Sequence, residues 1–190
     1  MSSNNAKEAL PLFEINRLLC QNNILSCNDR FDKFYQDLVQ LFSSKFRFVR
    51  MHSGFFVRKN WPKGSGVYVI WKVVGKSREL IYIGKTGTYR RTGKLVGINN
   101  EKDKYKERMG RWTPYCFFEE YFCFGPQFKG SAKPKPNNDS NYGECIPISE
   151  IEIDFFVCGT GSVAPAFLES LLLQIYMDEH STLPPANNEF

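Results

Sequence analysis

Two tyrosines bordered by glycine, in Gly66-Val67-Tyr68 and Tyr82-Ile83-Gly84, are the residues of this chain best placed to do chemistry. Each lies in a short run of β-branched and aromatic residues, and Gly75-Lys76-Ser77 supplies a turn between the runs. The pair therefore reads as an antiparallel hairpin with a connection slightly longer than two residues. Glycine beside a phenol on a rigid sheet marks a place where a backbone must be approached closely. Lys85 follows at once with an ammonium group. Farther along stand Arg108, Glu169 beside the apolar stripe of a last helix, and Asn187 in Leu-Pro-Pro-Ala-Asn-Asn. Phenols, a guanidinium and a lone carboxylate are groups that move protons, hold anionic oxygens and bind a hydrated cation.

The order of these residues resembles the GIY-YIG nuclease module. GVY is followed by YIG at the right separation, with Lys85-Thr86 directly after the second glycine. Then come Arg108 in KYKERMGRW, the strand PYCFFEE, Glu169 in APAFLESLLLQIY and Asn187 in LPPANN, so the likeness runs from about residue 66 to 188. It implies an α+β fold, with a small mixed or antiparallel sheet of three to four strands flanked by helices. It also implies a metal-dependent endonuclease that hydrolyses DNA phosphodiester bonds. The short chain, without an appended DNA-binding domain, points to a sequence-specific restriction-type enzyme. The alternatives are a repair, recombination or mobile-element nuclease for branched or damaged DNA, a catalytically silent nucleic-acid-binding module, and a general protein-interaction domain.

Hydrolysis of a phosphodiester needs a base for water, cations for the charge that develops on the phosphate, and help for the leaving oxygen. The resemblance assigns Tyr68 to the attacking water, Tyr82 to orienting water or phosphate, and Glu169 to one Mg²⁺ or Mn²⁺. Mg²⁺ keeps several waters, so one carboxylate suffices. Tyrosine, with a reference pKa of about 10, serves as a base only beside cations such as Lys85 or the metal. Arg108 is the expected phosphate clamp, because Tyr105, Arg108, Met109 and Trp112 fall at helical spacings; Arg91, in TYRRTGKL, is the alternative. Some restriction-type members carry a histidine one turn after this arginine, where this chain has Trp112, so proton handling falls to the tyrosines and Lys85. Asn187 is expected to position the glutamate or the backbone through neutral hydrogen bonds. Lys94, Lys104, Arg111, Lys129, Lys133 and Lys135 are the expected contacts to double-stranded DNA.

These residues need elements to hold them. Pro11 can open a first helix carrying Leu12, Ile15, Leu18 and Leu19, and Asn28 or Asp29 can cap a second, ending near Lys45, whose stripe is Phe31, Phe34, Tyr35, Leu38, Leu41 and Phe42. Residues 1–60 thus read as a helical N-terminal extension packed on a core domain of residues 61–190. Within that domain a short helix is expected over 104–112, one aromatic strand over 114–122, a long basic loop over 124–147 and a strand over 151–157. Ser162 can cap the last helix, with Pro165 in its first turn and Leu168, Leu171, Leu172, Ile175 and Tyr176 buried.

Composition narrows the classes. A chain of 190 residues with 42% hydrophobic content can bury one real core, and a net charge of +5 favours a polyanionic partner. No segment approaches the roughly 20 consecutive apolar residues of a membrane span, and no apolar signal run opens the chain, so a cytoplasmic protein is expected, nucleoid-associated if the cell is prokaryotic. The six cysteines lack metal-site spacing and are expected to be buried, reduced thiols. A palindromic DNA target would make a homodimer natural.

Overall fold

Spacing of three and four between Phe31, Phe34, Tyr35, Leu38 and Phe42 gives α2 (Arg30–Ser44) one apolar face, and all five side chains are buried. Ahead of it, α1 (Leu12–Gln21) contributes Ile15 and Leu18 to the same core. The computed structural model describes residues 12–21, 30–52, 62, 64–89, 95–96, 115–117, 121–124, 144–159 and 163–187. No helix among them is long and apolar enough to cross a membrane.

The architecture is α+β. Four antiparallel strands, β1 (Phe48–His52), β2 (Ser65–Val74), β3 (Ser77–Thr86) and β9 (Ile151–Cys158), form the main sheet in the order β1-β9-β2-β3. The last helix, α3 (Pro165–His180), packs against β2, β3 and α2. Two further ladders stand among the described residues: the short pair β4 (Thr88–Tyr89) and β5 (Leu95–Val96), and the three-stranded β6 (Tyr115–Phe117), β7 (Tyr121–Phe124) and β8 (Glu144–Pro147).

Strand alternation divides the main sheet into two covered faces. On one face Val67, Val69, Trp71, Leu80, Ile83, Phe156 and Cys158 join the helices in a common core. On the other, Tyr68, Ile70, Ile81, Tyr82, Ile153 and Phe155 meet Phe122 of β7, Ile146 of β8 and Ala186. A strand covered on both sides reads as a continuous apolar run, which is why Val67 to Trp71 are all buried in sequence. Opposite Ile70 and Trp71, β3 carries one extra residue: Ile70 pairs with Tyr82 and Trp71 with Leu80. That bulge lets Ile81 and Tyr82 share a face while Leu80 and Ile83 take the other.

Several expectations change. Within the expected N-terminal extension, β1 pairs with β9 along the whole of its length and belongs to the central sheet. The aromatic strand expected over 114–122 is two strands, with Cys116 opposite Cys123. The end of the supposed basic loop, Glu144–Pro147, is β8, paired to β7. The hairpin turn between β2 and β3 has two residues, Gly75 and Lys76, with Val74 opposite Ser77; the positive φ of 62° at Gly75 permits this tight reversal. At the start of α3 the capping position is held by Ala164 without a side-chain bond, and Pro165 occupies the first turn; the expected cap, Ser162, lies outside the described residues. Cys20 is exposed and Cys145 is disulfide-bonded, against the expectation of buried thiols; Cys158 is buried and free. The expected helix over 104–112 and the loop over 125–143 lie outside the described residues.

Candidate functional site

The alternation of β2 aims Tyr68 at the face covered by β7 and β8, directly opposite Gly84 in register and next to Phe155 on the other side. Tyr82 reaches the same face from β3, and the two rings lie 5.8 Å apart between centroids at 31°. Both lean over Gly84. A Cβ there would stand 2.4 Å from Tyr82 Cε1, 2.8 Å from Tyr68 Oη and 2.9 Å from Tyr68 Cζ. Glycine is therefore required at this point by the two phenols themselves, and the close approach to backbone expected from the sequence is made by the protein's own side chains. Tyr68 is only 1% exposed and Tyr82 9%, because Phe122 and Ile146 roof the face.

One residue further, alternation sends Lys85 to the helical face. Its ammonium pairs with Glu169 Oε2 on α3, with the two side chains 29% and 16% exposed. Glu169 thus flanks the buried stripe of α3 and is turned toward β3, at the end of the strand where the phenols cover Gly84. Among the described residues no three His, Cys, Asp or Glu gather as a metal cluster. A single hydrated divalent ion asks for few protein ligands, so one carboxylate can serve it. Glu169 is the residue that would hold it.

Asn187 belongs to the same strand end. Its Oδ1 accepts a hydrogen bond from the Ile83 N–H at 3.0 Å, and its Nδ2 donates to the Ile83 carbonyl at 2.8 Å. Ala186 N–H adds a bond to the Ile81 carbonyl at 2.9 Å. Since β3 is an edge strand, these bonds satisfy groups that would otherwise face outward, and the amide side chain acts as one residue of a fifth strand. Asn187 holds the backbone between Tyr82 and Gly84.

No family model, curated protein or solved structure matches this chain. The site therefore stands on its residues. Tyr68, Tyr82, Lys85, Glu169 and Asn187 all meet β3 between Ile81 and Thr86, the phenols on one face, the Lys85–Glu169 pair on the other and Asn187 on the edge between them. Arg108, its alternative Arg91, and the expected DNA contacts Lys94, Lys104, Arg111, Lys129, Lys133 and Lys135 lie outside the described residues.

A second polar cluster went unread in the sequence. Asp154, fully buried on β9, accepts hydrogen bonds from Arg50 Nε at 2.7 Å, Arg50 Nη2 at 2.9 Å, Arg78 Nη2 at 3.1 Å and Tyr35 Oη at 2.6 Å. Trp71 Nε1 donates to Tyr35 Oη at 3.2 Å, and the Arg78 guanidinium lies 4.4 Å from the centre of the Trp71 ring. Arg78 also pairs with Glu152 at 3.1 Å, and Glu152 with His52 at 2.7 Å. Burial, then the neighbouring Asp154 charge, holds the Tyr35 phenol well above its ordinary range. This network ties α2, β1, β3 and β9 together at the far end of the helical face. The signal for it was an acid inside the buried run Ile153-Asp154-Phe155-Phe156, where a carboxylate persists only if cations reach it.

Proposed function

We propose that this chain is a metal-dependent endonuclease acting on DNA phosphodiester bonds, of the sequence-specific restriction type. The observation that supports it most is the gathering at one strand end of two phenols over a glycine, with a half-buried lysine–glutamate pair one residue beyond. In this reading Glu169 would hold one Mg²⁺ or Mn²⁺, which when bound supplies positive charge to the phosphate and acidifies its water. Lys85 offers a second cation for a phosphate oxygen. Tyr68, as its phenolate, would accept the proton of the attacking water, and Tyr82 would orient water or phosphate. Asn187 keeps β3 in place, and Arg108 clamps the phosphate, with Arg91 as the alternative. Double-stranded DNA is the partner, contacted by Lys94, Lys104, Arg111, Lys129, Lys133 and Lys135; a homodimer suits a palindromic target.

The test is incubation of the protein with varied duplex DNAs and Mg²⁺, followed by sequencing of the ends. Glu169→Ala and Tyr68→Phe are each expected to lower cleavage by about 10² to 10⁴-fold while DNA binding survives. Full activity in either variant removes that residue from the mechanism. A second reading, a nucleic-acid-binding module without turnover, is favoured by one observation, the near-complete burial of Tyr68. DNA binding without any metal-dependent cleavage would establish it.

A further inference from the structure

We infer that Lys85 is the resident counterion of Glu169, and that a divalent cation reaches this carboxylate by displacing the ammonium, which then turns to a phosphate of bound DNA. This rests on reading Glu169 as the metal-holding carboxylate.

Glu169 sits against the apolar core of α3 and is mostly removed from water, so its charge needs a nearby cation, and the Lys85 ammonium supplies it on Oε2. An incoming metal ion and the ammonium compete for that oxygen, because two cations on one half-buried carboxylate repel each other. Lys85 can yield. Its backbone is fixed in β3, where Asn187 pins Ile83 two residues before, while the ammonium rides on a flexible four-carbon stem with freely rotating donors. A displaced ammonium gains a new partner when a phosphate oxygen is at hand, and loses one when it is not. Metal and DNA therefore favour each other's binding, and by linkage the factor is the same in both directions. The consequence is a site that binds metal weakly when no DNA is present.

The experiment measures Mn²⁺ affinity of the full chain by electron paramagnetic resonance of the free ion, without DNA and with a mixed-sequence duplex whose phosphorothioate linkages resist cleavage. Lys85→Met is expected to bind Mn²⁺ about tenfold more tightly than the parent without DNA, and to lose the gain in affinity that DNA gives the parent. Lys85→Arg, which keeps the charge, is expected to bind Mn²⁺ as weakly as the parent. Lys85→Gln gives the same readout should Lys85→Met fail to fold. Unchanged Mn²⁺ affinity in Lys85→Met, together with loss of Mn²⁺ binding in Glu169→Gln, overturns the displacement and leaves Glu169 as the ligand. Mn²⁺ binding that ignores Glu169→Gln overturns the metal reading as well.

Discussion

Gly84→Ala tests the geometry of the phenol pair, because two effects of opposite sign compete there. The backbone of Gly84 is outside the positive-φ region in which Gly64, Gly75 and Gly87 lie, so alanine fits the local conformation. Considered alone, that replacement stabilises by about 0.4–1 kcal/mol, since glycine loses more freedom on folding. Against it stands the methyl group. Its nearest neighbour would be Tyr82 Cε1 at 2.4 Å, whereas ordinary contact begins at 3.4 Å, so the ring has to move by about 1 Å. Tyr68 blocks from the other side at 2.8 and 2.9 Å, and Phe122 and Ile146 pack on the same face. Overpacking of this kind costs about 1–3 kcal/mol, which outweighs the backbone gain.

Urea unfolding is therefore expected to show a lower midpoint at unchanged slope, for a net loss of about 1–2 kcal/mol. In the double variant with Tyr82→Val the nearest clash disappears, and the two changes should couple by about 1 kcal/mol or more. Cleavage by Gly84→Ala should fall on the order of 10²-fold, the cost of misplacing a reacting group by about 1 Å. A Gly84→Ala protein more stable than the parent would show that the rings are not held as described. One that is less stable but cleaves normally would detach the phenols from the chemistry.

Three other perturbations probe the same fold. Asn187→Ala removes both bonds to Ile83 and should cost about 1–2 kcal/mol, read most directly as lost protection of the Ile83 amide in hydrogen exchange; full protection would refute the edge-strand role. Tyr35→Phe leaves Asp154 and Trp71 each short of one buried hydrogen bond and should lower stability by about 1–3 kcal/mol, with cleavage per folded molecule unchanged. Burial pushes the Cys158 thiol from 9.0 to about 12, with the nearby Arg47 charge opposing the shift. The folded state thus keeps a proton that the unfolded state gives up, so this contribution is complete below pH 9.0 and drains away toward pH 12, at about 1.4 kcal/mol per pH unit. Cys158→Ala should flatten the alkaline limb of a stability-against-pH curve; an unaltered limb would place its origin elsewhere, with Tyr35 the next candidate.

The sequence disclosed those elements whose pattern is local. Helix α2 announced itself by its stripe, the β2–β3 hairpin by aromatic and β-branched runs around Gly75, and α3 by leucines at helical spacing. Strand β1 was invisible for the opposite reason: Phe48-Val49-Arg50-Met51-His52 is short and broken by Arg50 and His52, and becomes a strand only by pairing with residues about a hundred positions away. Its Arg50 then finds Asp154 directly opposite in register, and that pairing gives two otherwise unfavourable strand residues a reason to be there. Strand β8 was hidden by its neighbours, since the Pro-, Asn- and Lys-rich text before it reads as loop. That omission explains the largest surprise at the candidate site. Without β7 and β8 as a roof, Tyr68 looks like a phenol projecting from an open sheet; with them it is buried.

Alternation along a strand also fixes how the candidate groups can work together. Tyr82 and Lys85 are three residues apart on β3, an odd interval, so they must leave on opposite faces, and no rotation of either side chain undoes this. Groups on both faces can address one phosphate only around an end or an edge of the strand. The edge at Ile81 and Ile83 is closed by Ala186 and Asn187, which leaves the stretch from Gly84 to Gly87. There the phenols cover Gly84 on one face, and the Lys85–Glu169 pair begins on the other. On the proposed function, a phosphate shared by the two faces is bound around this end of β3.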